Sequence, residues 1–283
     1  MGVVDLLVIG SEGQLGRALV AAAAARGVAV VGHDVDTLDI TDPQAVRHRV
    51  AEVGPRWVVN CAAHTAVDRC EEEETLATAV NDTAVGHLAA ACEGSGAALL
   101  HVSTDYVFPG DGRRPYREED PVAPLGVYGR TKLGGERRAR MVEHHLVVRT
   151  AWLYGVGGSN FVEAIRRQIE AGRETLQVVD DQWGCPTFCG DLAGAMLDLM
   201  AAGAEGTFHA VNHGATTWCG FAREIVRLLG AATEVEPVTT EAYSRPAPRP
   251  AYSVLDTARL ATALGRHLPP WQNGLARYLR CAS

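Results

Sequence analysis

Tyr128 and Lys132 lie four positions apart in the stretch "VYGRTK". In a helix this spacing places the phenol and the ammonium on one face. A lysine ammonium close to a phenol favours the phenolate and lowers its pKa, so such a tyrosine can exchange a proton near neutral pH. Pairs of this kind also occur on helix surfaces without any chemical role, so the rest of the chain has to decide.

A hydroxyl group precedes this pair at the end of an apolar stretch. "AALLHVSTDYVF" predicts a strand that brings Ser103 and Thr104 to the carboxyl edge of a sheet, where ligands of open α/β folds bind. Hydroxyls in such a place can also simply cap a turn. Together, Thr104, Tyr128 and Lys132 predict a site that exchanges a proton with a bound ligand.

Glycines near the start of the chain predict that the bound ligand includes a dinucleotide. "GSEGQLG" spaces Gly10, Gly13 and Gly16 as GxxGxxG, where the first predicted strand ends and the first helix begins. Glycine there allows a tight turn, close approach of a pyrophosphate and close helix packing, and the helix N-terminus attracts the anion. In a chain with 30 glycines the spacing alone is a weak signal, but its position strengthens it.

The second predicted strand ends in Asp34, where a carboxylate can accept hydrogen bonds from an adenosine ribose. The alternative is a solvated acid at a strand end. "GHDVDTLD" supplies Asp34 and Asp36 but no basic residue to hold a 2′-phosphate, although Arg17 could reach across from the first helix. We therefore expect NADH to be used at least as well as NADPH.

Two further segments complete the predicted cofactor site. "LDITD" places Asp39 and Ile40 near the adenine, although "TDP" is also typical of a helix N-cap. "NCAAHTAVD" ends the third strand with Asn60, Ala62 and Ala63 beside the phosphates and ribose, and core packing explains the two alanines equally well. The predicted cofactor residues are Gly10, Gly13, Gln14, Leu15, Gly16, Asp34, Asp39, Ile40, Asn60, Ala62, Ala63, Tyr128 and Lys132.

The order of elements predicts an α/β fold. Short apolar runs alternate with amphipathic stretches through the first half, which indicates a doubly wound parallel sheet of the Rossmann type. We expect a dinucleotide-binding domain over residues 1–150 and a smaller mixed α/β region, mainly substrate-binding, over 151–283. The Pro-rich stretch "SRPAPRP" is either a connector or an ordered loop with two arginines facing a ligand.

Composition excludes several classes of partner. A net charge of −8 argues against nucleic acid or anionic lipid as the main partner. The chain has seven cysteines, an odd number, and no second cysteine pair accompanies Cys185 and Cys189 of "CPTFC" to complete a metal site. We therefore expect reduced thiols, no metal site and a cytoplasmic protein. The first residues lack a signal-peptide pattern, and the alanine run "ALVAAAAARG" is too short to span a bilayer.

The motifs taken together resemble those of a known family. "GSEGQLG", "LDITDP", "HVSTDYVFPGDG", "VYGRTKLGGE", "VVDDQWGCPT", "TTWCGFA" and "RPAPRPAYSVLDT" run in order across nearly the whole chain. The sequence is similar to the extended short-chain dehydrogenase/reductase superfamily, and more closely to the dTDP-4-dehydrorhamnose reductase family. "STDYVF" combined with "VYGxTKLxGE" and "DQxGxPT" is far more specific than a dinucleotide fingerprint.

The resemblance implies an NADPH- or NADH-dependent reductase of the 4-keto group of a dTDP-linked 6-deoxyhexose, giving dTDP-L-rhamnose. It implies that Tyr128 protonates the developing alkoxide, that Thr104 hydrogen-bonds the same oxygen, and that Lys132 tunes Tyr128 and holds the cofactor. A homodimer is compatible with it. The substrate residues it implies are Val67, Asp68, Thr104, Asp105, Tyr106, Trp152, Asn160, Phe161, Arg249 and Ser253.

Three other functions remain open at this stage. The substrate could be a related dTDP-keto sugar of secondary metabolism, such as a dihydrostreptose precursor. A sugar-nucleotide epimerase keeps the same tyrosine and lysine but retains and reuses its cofactor. A non-catalytic subunit similar to the methionine adenosyltransferase beta subunit shares the fold, but it has no need of the triad that this chain retains.

Overall fold

A computed structural model of the protein describes residues 4–243 and 245–281, so Ser244 of the Pro-rich stretch lies outside the described residues. The central element is a parallel six-stranded sheet with the strand order β10-β5-β4-β3-β1-β2. Its strands are β1 (Leu6–Ile9), β2 (Val30–His33), β3 (Trp57–Asn60), β4 (Ala98–Thr104), β5 (His145–Thr150) and β10 (Gly206–His209). The doubly wound parallel sheet predicted from the sequence is confirmed.

Helices cover both faces of this sheet because its buried strands alternate their side chains between two apolar layers. Leu6 and Val8 belong to one core with helices α1 and α8, whereas Leu7 and Ile9 belong to the other core with α2, α5 and α6. The helices are α1 (Gln14–Ala25), α2 (Pro43–Val53), α3 (Val67–Glu72), α4 (Glu74–Thr78), α5 (Ala84–Ser95), α6 (Val127–Ala139), α7 (Phe161–Glu170), α8 (Cys189–Ala201), α9 (Trp218–Leu229), α10 (Ala258–Leu264) and α11 (Trp271–Cys281).

The later part of the chain builds a third core beside the sheet. This core is formed mainly by α7, α9 and α11 with a parallel pair of strands. The remaining strands are short, namely β6 (Leu153–Tyr154), β7 (Thr175–Val179), β8 (Trp183–Gly184), β9 (Thr187–Phe188), β11 (Thr216–Thr217) and β12 (Glu234–Val238). None of the helices in the described part of the chain is both long and apolar enough to cross a bilayer.

The predicted division at residue 150 does not separate two structural layers. Strand β10, from the second half, pairs in parallel with β5, with Phe208 opposite Val148. Helix α8 packs on α1 of the first half. Because pairing between strands far apart in sequence sets the sheet's edge, sequence periodicity alone could not assign β10 to it. That residues 151–283 mainly bind substrate remains a prediction.

Candidate active site

A cavity of about 970 Å³ opens at the carboxyl ends of β1, β3, β4 and β5. In a parallel sheet these ends meet at one edge, which is where open α/β folds bind ligands. Most of the predicted cofactor and catalytic residues line this single cavity. They are Gly10, Gly13, Gln14, Leu15, Gly16, Asp34, Asp39, Ile40, Ala62, Ala63, Thr104, Tyr128 and Lys132.

Of the three glycines in the turn, Gly10 and Gly16 have no room for a side chain, whereas Gly13 does. Gly10 has φ +75°, and a Cβ there would lie 2.7 Å from the Ala62 amide nitrogen. A Cβ on Gly16 would lie 2.0 Å from the Gly10 carbonyl oxygen, so helix α1 can pack on the turn only without a side chain. At Gly13, the N-cap of α1, a Cβ would meet only one atom, at 3.4 Å. The first turn of α1 is therefore accessible to an anion.

Asp34 lies in the cavity and ties the end of β2 to the glycine turn. Its Oδ2 accepts a hydrogen bond from the Glu12 amide at 2.9 Å, and its Oδ1 accepts one from the Val35 amide at 2.8 Å. Each carboxylate oxygen keeps a further lone pair for a ribose hydroxyl. Arg17 is paired with Glu12 at 2.5 Å. The arginine considered for a 2′-phosphate is thus already engaged by a carboxylate.

Two of the predicted cofactor residues have structural contacts that sequence reasoning did not foresee. Asn60 is fully buried and does not line the cavity; its Oδ1 accepts from the Ala62 amide at 3.0 Å. Gln14 lines the cavity, but its Oε1 also accepts from Gly155 N at 2.9 Å and Asn160 Nδ2 at 3.0 Å. The direct cofactor contact expected of Asn60 stays a prediction, and in this structure its side chain contacts Ala62 and His101 instead.

The three predicted catalytic residues come together from β4 and α6. Thr104 ends β4, where its hydroxyl donates to Asp105 Oδ1 at 3.0 Å and accepts from Tyr106 N at 3.2 Å. Tyr128 lies in the first turn of α6, with its ring edge-on to Tyr106 at 5.5 Å between centroids. Lys132 follows one turn later and is almost fully buried.

The electrostatics of Tyr128 differ from the sequence-based expectation. Burial raises the pKa of Tyr128 above its ordinary value, and a hydrogen bond with Thr104 opposes that shift. Lys132 is not one of the main causes of this shift, and its Nζ donates to the Val102 carbonyl at 2.6 Å. The expected lowering of the phenol pKa by Lys132 is therefore not found. Tyr128 is a neutral phenol at neutral pH, which is the form that can donate a proton.

Asp105 is a second buried ionisable group at the same place. It is 1% exposed, and its Oδ2 has no hydrogen-bond partner among the described residues. Burial raises the pKa of Asp105 to about 6, while the nearby hydroxyls of Ser253 and Thr104 oppose the rise. Ser253, expected to contact substrate, is instead buried beneath the cavity beside this carboxyl group.

The predicted substrate residues divide into two groups. Val67, Tyr106 and Trp152 line the cavity with Thr104 and Asp105. The other predicted substrate residues lie outside the cavity lining, which their sequence positions did not reveal. Asn160 caps helix α7 through a bond from Glu163 N, and Phe161 packs on Trp218 at 4.6 Å between ring centroids.

Asp68 and Arg249 also lie outside the cavity lining, where they bond to each other through both guanidinium Nη groups. Arg249 also interacts electrostatically with the Tyr106 phenol. The Pro-rich stretch that carries Arg249 is thus anchored to α3 at this point, rather than acting as a free connector.

Several lining residues were missed from the sequence. Trp218 stacks face to face on Trp152 at 3.5 Å between ring centroids, and Trp152 has φ +47°. Thr150 ends β5 directly opposite Thr104, and its buried Oγ1 has no partner among the described residues. The rule that ligands bind at strand carboxyl ends could have found Thr150. No local signal could have found Trp218, since it begins a distant helix.

The described part of the chain holds no group of three or more histidine, cysteine or acidic residues placed to hold a metal ion. All seven cysteines have free thiols. Cys185 and Cys189 are buried, and burial raises the pKa of each thiol to about 12, so neither is a thiolate at neutral pH.

The parallel sheet, the glycine turn and the Tyr128–Lys132 pair define an oxidoreductase of the short-chain dehydrogenase/reductase class. A family model described as RmlD substrate binding domain matches residues 4–283. The chain belongs to the dTDP-4-dehydrorhamnose reductase family, which confirms the resemblance seen in its motifs.

Individual relatives are similar along nearly their whole length. A dTDP-4-dehydrorhamnose reductase of Streptomyces griseus is 51% identical over 277 residues, 95% of this chain and 91% of the relative. A probable dTDP-4,6-dihydroxy-2-methyloxan-3-one 4-ketoreductase of Streptomyces antibioticus is 45% identical over 276 residues, 95% of this chain and 92% of the relative. The crystal structure of dTDP-4-dehydrorhamnose reductase from Bacillus anthracis in complex with NADP matches with a TM-score of 0.94 and 35% identity, covering 98% of both chains.

Proposed function

We propose that this protein is an NAD(P)H-dependent reductase of the 4-keto group of a dTDP-4-keto-6-deoxyhexose, with dTDP-4-dehydro-L-rhamnose as substrate and dTDP-L-rhamnose as product. The observation that carries the proposal is that Thr104, Tyr128 and Lys132 line the same cavity as the glycine turn. A cavity of about 970 Å³ has room for a large ligand. The similarity to the Streptomyces griseus reductase supports the substrate class.

The cofactor site is formed by residues that fit a dinucleotide. The open backbone at Gly13 and the first turn of α1 would hold the pyrophosphate, and Asp34 would accept from the adenosine ribose. Leu38 and Ile40 form buried apolar walls for the adenine. The bound cofactor supplies the hydride for the ketone carbon.

The remaining chemistry belongs to this chain. As the ketone oxygen gains negative charge, Tyr128 donates its phenolic proton to it, leaving an alcohol and a phenolate. Thr104 hydrogen-bonds the same oxygen once its hydroxyl turns away from Asp105. The stacked rings of Trp152 and Trp218 form an apolar wall that keeps water from one side of the cavity.

A related dTDP-keto sugar is the second candidate substrate. The Streptomyces antibioticus relative, named as a probable 4-ketoreductase of a different dTDP-sugar, is nearly as similar in sequence to this chain as the first relative.

We place the reaction in the cytoplasm, where seven free cysteines stay reduced.

The test offers the purified protein a panel of dTDP-4-keto-6-deoxy sugars with NADH or NADPH. Nicotinamide oxidation gives the rate, and NMR identifies the product. Tyr128→Phe serves as the inactive control. Oxidation with the rhamnose precursor and formation of dTDP-L-rhamnose support the proposal. A sugar epimerised without net cofactor oxidation would indicate an epimerase, and no turnover with any sugar would favour the non-catalytic alternative.

A further inference from the structure

Lys132 differs from every other basic residue of the chain. It is the single lysine of the sequence, since the remaining residues of its 26 lysines and arginines are all arginine. Arginine stays protonated in proteins, whereas a buried lysine can lose its proton near neutral pH. The one side chain of this kind lies in the candidate active site.

Lys132 ends a chain of contacts through the interior of the sheet. Besides its bond to the Val102 carbonyl, its Nζ lies 3.4 Å from Nε2 of His101. Nδ1 of His101 lies 3.1 Å from Nδ2 of Asn60, and Asn60 Oδ1 accepts from Ala62 N. Asn60 and His101 are both 0% exposed.

These contacts fix the direction of each hydrogen bond. The Ala62 amide can only donate, so the oxygen of Asn60 faces it and the NH₂ group of Asn60 faces His101. Nδ1 of His101 therefore accepts, and the neutral ring carries its proton on Nε2. That Nε2–H group points at Lys132, and an amine can accept it whereas an ammonium cannot.

We propose that His101 is a positioning residue for Lys132, with its tautomer set by Asn60, and that it stabilises the neutral amine of Lys132. Protonation of Lys132 brings two donors face to face, so the ammonium is pushed away from His101 toward the cavity. His101 thus couples the charge of the Lys132 side chain to the distance of that side chain from Tyr128. This inference deepens the proposed function and rests on it for its catalytic meaning.

The surroundings of Lys132 make its neutral amine accessible just above neutral pH. Burial lowers the pKa of Lys132 to about 8, and Glu136 and Cys61 oppose that shift. The Glu136 carboxylate is already paired with Arg149 and Arg140, at 2.8 and 2.7 Å. Burial raises the pKa of Cys61 to about 12, so the thiol is uncharged near neutral pH.

The surroundings of His101 keep its ring neutral. Burial lowers its pKa well below the ordinary value, the positive charge of Lys132 lowers it further when that amine is protonated, and the charge of Arg140 adds to this effect. The ring packs against helix α6 at Gly135, where a Cβ would lie 3.0 Å from His101 Nε2. The absence of a side chain at Gly135 therefore gives His101 room to reach Lys132.

The first measurement uses the cofactor-free wild-type protein. With histidine labelled by ¹⁵N, correlation spectra identify the tautomer of His101. The His101 signal is assigned because it is missing from the spectrum of His101→Leu or, if that variant does not fold, by sequential backbone assignment of the wild type. We expect the Nε2–H tautomer across neutral pH. An Nδ1–H tautomer or a charged ring would overturn the inference.

The second measurement titrates Lys132 itself. Lysine labelled with ¹³C at Cε gives one resonance, because the chain has one lysine. In His101→Leu we expect the pKa of Lys132 to rise by about one unit, toward the ordinary lysine value of about 10.4, since a donor to the amine is lost. An unchanged or lower pKa would show that His101 does not stabilise the amine.

His209→Leu is the matched control. His209 is also fully buried in the sheet, but it contacts Arg149 and Tyr116 rather than Lys132. Its substitution should leave the Lys132 titration in place. Because both measurements omit substrate and cofactor, a different sugar substrate would leave the inference standing, and a failed titration would leave the reductase activity standing.

Discussion

Arg249 and Asp68, 181 positions apart in the chain, form an ion pair with two parallel hydrogen bonds next to Tyr106. Arg249 Nη2 donates to Asp68 Oδ2 at 2.9 Å, and Nη1 donates to Oδ1. The pair holds the pKa of the Asp68 carboxyl below its usual range, mainly through the hydrogen bond from Arg249. A substrate diphosphate near this guanidinium therefore has to share or displace a carboxylate.

Replacing Arg249 by alanine tests its predicted contact with the diphosphate. A planar guanidinium suits phosphate oxygens, so we expect the KM for the dTDP-sugar to rise roughly tenfold to a hundredfold, with a smaller effect on the cofactor KM. Steady-state kinetics with each substrate varied in turn gives both values. Arg227→Ala, an exposed arginine paired with Glu224, is the control. Equal effects on both KM values, or none, would confine Arg249 to anchoring the loop.

Tyr128→Phe removes the proposed proton donor and almost no volume. We expect turnover to fall by roughly 10²–10⁴-fold, while the cofactor dissociation constant stays nearly unchanged. Single-turnover kinetics and a fluorescence titration of the cofactor measure the two quantities. Tyr154→Phe removes a phenol that is buried away from the cavity and should keep its activity. Near-normal turnover of Tyr128→Phe would rule out this tyrosine as the acid.

The choice between NADH and NADPH tests the role of Asp34. A carboxylate repels a 2′-phosphate but accepts a hydrogen bond from a free 2′-hydroxyl, and Arg17 is engaged by Glu12. We expect kcat/KM for NADH to equal or exceed that for NADPH, and Asp34→Ala to erode this advantage. Asp36→Ala, an exposed acid outside the cavity lining, should leave the ratio unchanged. A tenfold preference for NADPH would contradict the prediction.

Asp105 should make stability depend on pH. Its folded-state pKa of about 6 lies above the value of about 3.9 expected when unfolded, so between these values the folded state binds more protons. Stability from this group is therefore highest at low pH, falls as pH rises from about 4 to 6, and is constant above. We expect the free energy of unfolding of Asp105→Asn, relative to that of the wild type, to rise by up to about 3 kcal/mol as the pH increases from 4 to 7.

Urea unfolding at several pH values measures this difference. Asp36→Asn changes an exposed carboxyl and serves as the reference. A difference between Asp105→Asn and the wild type that stays constant with pH would show that the Asp105 carboxyl titrates alike in both states. The constant part of the difference reports only the altered hydrogen bonds to Thr104 and Ser253.

The sequence by itself determined the doubly wound parallel class of the sheet, the glycine turn and the Tyr128–Lys132 pair. Helix α2 runs from Pro43 to Val53 because of local signals, since Asp42 caps its start and Gly54 takes the left-handed conformation at its end. Gly10, Gly13 and Gly16 were readable because glycine spacing and strand position are local signals. Tyr128 and Lys132 were readable because one helical turn fixes their separation.

The tertiary structure decided which polar side chains face the cavity and which face inward. Asn60 and Ser253 were expected at ligands, but both are buried, because their roles depend on partners such as His101 and Asp105 in other strands or loops. The charge states followed the same rule. The pKa of Tyr128 is raised rather than lowered because burial is the dominant cause, while the Lys132 amine donates to the Val102 carbonyl. Neither burial nor that carbonyl contact is encoded in the spacing of two residues.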